Sequence, residues 1–124
     1  MLREDYLMRQ IEGLARTLAR LLFEKDTAEY RLPEEVAFTE TDLLYRRLEQ
    51  MVKEGEINQA EDLLFERLDT RDPQVLEVAL AFYDLLNGLE DDFLEKNQYE
   101  REEIQEGLQR ALELYDVQVP GIFL

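Results

Sequence analysis

Residues 72–88 read DPQVLEVALAFYDLLNG, and this stretch decides the fold. Asp72 offers a side-chain oxygen to the free amides of a helix start. Pro73 then sits in the first turn, where its missing N–H costs nothing. Val75, Leu76, Val78, Ala79, Leu80, Ala81, Phe82, Tyr83, Leu85 and Leu86 leave only a narrow polar stripe at Glu77 and Asp84. A helix apolar nearly all round is buried on several sides. Residues 73–87 are therefore predicted as the central helix, closed by Asn87-Gly88 in the left-handed conformation.

Upstream, Leu7, Ile11, Leu14, Leu18 and Leu22 recur at helical spacing, flanked by Met8, Ala15 and Ala19. Residues 3–24 read as one long amphipathic helix with a wide apolar face. Arg9, Arg16 and Arg20 gather on its other side through separations of seven and four residues. Residues 25–39, KDTAEYRLPEEVAFT, break the period at Pro33 and form a connector, with Tyr30, Leu32, Val36 and Phe38 expected to pin it down. Thr39 and Asp42 make a capping box, and Leu44, Leu48, Met51 and Val52 carry a helix to Gly55. Asn58 with Glu61 signals another helix start, and Ala60, Leu63, Leu64 and Leu68 form that helix's apolar face. So short a link predicts an αα-hairpin.

Downstream, Leu89, Phe93 and Leu94 add a short helical turn, and Asn97 with Glu100 reads as a further cap. Ile104, Leu108, Ala111, Leu112 and Tyr115 trace the last helix, with Gly107 placed to permit a close helix crossing. Pro120-Gly121 stops it, and the tail 117–124 ends in Ile122, Phe123 and Leu124. The expectation is one all-α domain of about five helices, a long N-terminal helix followed by a hairpin body over 40–116.

The full chain of 124 residues is long enough to bury a core without staples, and having no Cys it has no disulfides. The opening acids Glu4 and Asp5 do not suit a signal peptide, and the apolar run 78–83 falls far short of a membrane span. These features predict a soluble cytoplasmic protein. The formal net charge is −16, which argues against direct nucleic-acid binding, since phosphate contacts draw on Lys and Arg. Solubility is the first reading of the acidity; an acidic docking surface or a nucleic-acid mimic comes after it. Residues 1–25 hold five bases and four acids, a net of +1, which leaves −17 for the rest.

Residues 55–73, GEINQAEDLLFERLDTRDP, resemble the second half of a tetratricopeptide repeat. Gly55, Ala60 and Leu64 match in spacing, whereas Pro73 arrives one position late and Arg67 stands where a small residue is usual. One such unit is fewer than a stable array needs, so the resemblance implies a single tetratricopeptide-like hairpin. The opening EDYLMRQIEGLARTLARLL, the hairpin and the segment LYDV at 114–117 resemble a family of small uncharacterised helical proteins from Gram-positive bacteria. That family has no assigned activity, so the resemblance brings no functional residues with it.

Catalytic chemistry is scarce. With no His, Cys, Ser or Trp, the usual metal ligand sets and nucleophile–base pairs cannot be assembled, and no phosphate-cradling glycine loop occurs. No catalytic, cofactor or metal site is predicted. Glu100 with Glu103, Glu102 with Glu106, and the cluster Glu90, Asp91 and Asp92 read as solvated acids, a weak cation site being the alternative. The six tyrosines read as core-edge residues or, alternatively, as the lining of a pocket. A non-enzymatic module that contacts a protein partner or a second copy is the main functional expectation. Arg9, Arg16, Arg20, Ile122, Phe123 and Leu124 are its candidate surface. A small-ligand or divalent-cation protein, or an enzyme using carboxylate, Tyr or Arg groups, is the alternative. Whether the first helix packs in its own domain or on another chain stays open at this level.

Overall fold

The computed structural model of the chain describes residues 2–34 and 37–117. Its helices are α1 (Leu2–Phe23), α2 (Glu40–Lys53), α3 (Ile57–Leu68), α4 (Pro73–Asn87), α5 (Asp91–Lys96) and α6 (Arg101–Leu114). No strand occurs among the described residues. The chain is all-α, with the predicted short turn realised as α5.

α4 is the hub. It packs against α1, α2, α3 and α6, and its residues from Val78 to Tyr83 are all buried. The sequence reason holds at both faces of the element: apolar groups on every side need neighbours on every side. Its start is as predicted, with Asp72 accepting the Gln74 N–H at 2.9 Å and Pro73 at the first position. The wide apolar face of α1 (Leu7, Ile11, Leu14, Ala15, Leu18 and Ala19) is buried, and α1 packs on α4 and α6. The open question about α1 is thus answered inside the chain. α2 and α3 fold back on each other as a hairpin through Gly55, whose φ of 82° is the left-handed conformation. The buried apolar side chains form one continuous cluster.

The Thr39–Asp42 capping box is present in both directions. Other helix ends differ from the sequence reading, each for a packing reason. α3 begins at Ile57, not after Asn58, because Ile57 is fully buried and is drawn into the first turn. Asn58 instead donates to the Gln98 carbonyl. Gly88 ends α4 at a φ of −81°, outside the left-handed region, and the buried Asn87 side chain before it donates to the Met8 carbonyl at 2.9 Å. α6 is capped by Glu100 with Glu103, while Asn97 closes the end of α5 through the Phe93 carbonyl. α1 stops at Phe23, with Glu24 in the left-handed region and the Lys25 N–H reaching back to the Ala19 carbonyl. In the connector, Tyr30 stacks on Tyr45 and Phe38 lies under Arg46, but Leu32 is exposed and pins nothing. Val36 lies outside the described residues.

Candidate functional site: the outer face of α1

Because the residues of α1 at 7, 11, 14, 15, 18 and 19 point into the core, those at 9, 13, 16 and 20 share the opposite face. Arg9, Gly13, Arg16 and Arg20 are all exposed there. Arg16 makes a 3.0 Å pair with Glu12 one turn back, with both side chains more than half exposed, a geometry that contributes little to stability. Tyr6 (69% exposed) and Leu21 (63%) flank the row and are the most exposed large apolar side chains described.

Gly13 stands out on this face. In a helix interior glycine is less favourable than alanine by about 1 kcal/mol. A Cβ added at Gly13 would meet nothing within 4 Å, so the fold of this chain makes no use of the missing side chain. Gly107 is the contrasting case. There an added Cβ would fall on the Tyr83 ring and hydroxyl, so the fold requires the glycine. Sequence reasoning found the arginine row and Gly107 but passed over Gly13. The signal was present: a glycine at i+4 from Arg9 in an otherwise unbroken helix.

Ile122, Phe123 and Leu124 lie outside the described residues. The structure therefore brings together three of the six residues proposed as a surface.

The acids fall into structural roles. Glu103 accepts the Glu100 N–H at 2.7 Å, a cap. Asp91 is bound by Arg101, which is itself buried and also donates to the carbonyls of Asn87 and Leu89. Sequence reasoning missed Arg101 because no local pattern marks a cation that points inward. Among the described residues no group of three or more acids is placed to hold a metal ion.

The strongest polar cluster away from α1 is Glu61, which sequence reasoning treated as a capping residue. Its Oε2 accepts the hydroxyls of Tyr83 at 2.6 Å and Tyr99 at 2.9 Å, joining α3 to α4 and to the segment before α6. Burial raises the Glu61 carboxyl above its usual value, against the two hydroxyls that favour the charged form. Burial and the Glu61 charge hold both phenols well above their ordinary range, so they remain proton donors. With the Tyr83 ring filling the space over Gly107, the cluster is packed rather than open to a substrate.

A raised carboxyl favours the neutral form in the folded state. Its contribution to stability is complete below the unfolded value near 4.5 and is lost as pH rises through the folded value. Asp84 has the same sign, through burial first. Asp42 has the opposite sign: the Thr39 backbone N–H and the Tyr30 hydroxyl lower it, and its contribution is lost as acid reaches that lowered value. Glu61→Gln keeps an acceptor for the hydroxyls and removes the ionisation. The expected result is an unchanged or higher Tm at neutral pH and a smaller loss of Tm than wild type as pH rises from 4.5 upward. Thermal melts of both proteins across that range check it, and a steeper decline in the variant contradicts it.

No helix among the described residues is long and apolar enough to cross a membrane. Residues 1–116 match a family of unknown function, DUF6483, and the chain belongs to that family. No curated protein and no solved structure matches the chain.

Proposed function

We propose that this member of a family of unknown function acts without catalysis, as a protein-contact module whose docking face is the outer side of α1. The observation that carries this reading is Gly13, a destabilising residue on an exposed face where its own fold has no need of it. A glycine between arginines lets another backbone approach closely while the guanidinium groups reach acids on either side. The charge distribution supports an acidic partner, since α1 carries the exposed row Arg9, Arg16 and Arg20 in a chain of net charge −16.

With this reading go a cytoplasmic location, a Gram-positive bacterial source and a tetratricopeptide-like character for the α2–α3 hairpin. The left-handed Gly55 and the full burial of Ala60 and Leu64 support the last of these.

A photo-crosslinking residue at Thr17, beside the arginine row, tests the docking face in living cells. Adducts are expected at Thr17 and not at Gln59, which is exposed on α3 and serves as a control. They should vanish when Arg16→Glu is added. No adduct, or the same adducts from both positions, would overturn the proposal.

A further inference from the structure

Resting on that reading, we infer that the occupant of the α1 face is α6 of a second copy of this chain, packed antiparallel to it. The outward side of α6 carries Glu102, Glu106, Gln109 and Glu113, with Glu102 half-buried and the other three exposed. This row steps by four, three and four residues, as does Arg9, Gly13, Arg16 and Arg20 on α1. Such a row stays on one narrow helix stripe and spans roughly 17 Å.

The step pattern reads the same from either end, so the rows match when the helices run in opposite directions. Arg9 then faces Glu113, Arg16 faces Glu106 and Arg20 faces Glu102, while Gly13 faces Gln109. Run parallel, Arg16 faces Gln109 and Glu106 faces Gly13, and a charge pair is lost. Arg110, the other base on α6, is held over the Phe65 ring of α3 at 4.2 Å, and it shares a shallow cavity with Glu113 at one end of the acidic row. Asp92 and Glu95 line the trough beside α6 and extend its negative field, while Asp91 there is paired with Arg101.

Two copies each of charge −16 repel at long range. At about 0.15 M salt that repulsion is screened beyond roughly 8 Å, so charges brought into contact decide the outcome. Each copy carries one α1 row and one α6 row, and two complementary contacts close a dimer while one leaves an open end.

The test measures the mass of the full chain by sedimentation equilibrium in about 0.15 M salt, against a monomer of 14.8 kDa. Wild type is expected above the monomer mass. Arg16→Glu and Glu106→Arg should each weaken association by roughly tenfold or more, and the double variant should restore it. Gly13→Gln is expected to raise the Tm through helix propensity yet weaken association, a pair of effects that a purely structural role for Gly13 does not produce.

A monomeric wild type, or a double variant as defective as the single ones, overturns the second copy as the occupant. If such a monomer still gives Arg16-dependent crosslinks from Thr17, the α1 docking face stands and its occupant is another protein. If the crosslinks are also absent, both proposals fall.

Discussion

Phe82→Asp is expected to abolish the cooperative thermal transition. Phe82 is fully buried on α4 and packs edge-on against Tyr83, with ring centroids 5.1 Å apart. The substitution removes a large apolar side chain, which costs about 3–5 kcal/mol in typical cores. It also buries a carboxylate within the apolar cluster, a further cost of several kcal/mol. Together these rival the 5–15 kcal/mol by which a domain is ordinarily stable. Phe82→Leu keeps the site apolar and should melt cooperatively at a reduced temperature. Far-UV circular dichroism melts of the two variants decide the matter. A normal transition in Phe82→Asp would show that α4 is not the centre of the core.

Arg101→Met is expected to destabilise the chain by roughly 2–5 kcal/mol while leaving it able to fold. The Arg101 side chain is almost wholly buried, and its guanidinium bonds the Asn87 carbonyl at 2.7 Å, the Leu89 carbonyl at 2.8 Å and Asp91 at 2.7 Å. It thereby ties the end of α4 to the start of α5 from the first residue of α6. Asn87, in turn, donates to the Met8 carbonyl of α1, so the network reaches four helices. Methionine fills the space but leaves buried carbonyls without donors, each worth about 1–3 kcal/mol. Arg101→Lys should fall between, because a single ammonium cannot span the fork. Urea unfolding measures the loss, and a midpoint equal to that of wild type would refute the role given to Arg101.

The helices themselves were legible because their signals are local or periodic. Asp72-Pro73 and Thr39 with Asp42 need only residues three or fewer positions away, and both caps form as read. Asn58 and Asn97 carry the same type of signal and cap neither α3 nor α6, Asn58 lying inside the first turn of α3. There the burial of Ile57 and of Tyr99 outweighs a cap of about 1 kcal/mol, and each amide side chain turns to a carbonyl elsewhere. The arginine row was equally legible, since seven- and four-residue steps on a helix leave only one arrangement. Glu61 and Arg101 were not. Each finds its partners on other helices and the segments joining them, up to thirty-eight positions away for Glu61 and Tyr99, and no spacing within one helix announces such a meeting.

The sequence by itself determined that this is an all-α chain with α4 at its centre and an arginine row opposite the apolar face of α1. Periodicity is a property of a single helix and can be read without knowing its neighbours. Only the tertiary structure decided that α4 and α6 cover the apolar face of α1, that Glu61 and Arg101 turn inward, and that Gly13 is left exposed with nothing against it. Whether a face is covered depends on which other surface reaches it, and that is settled by packing among helices distant in the chain.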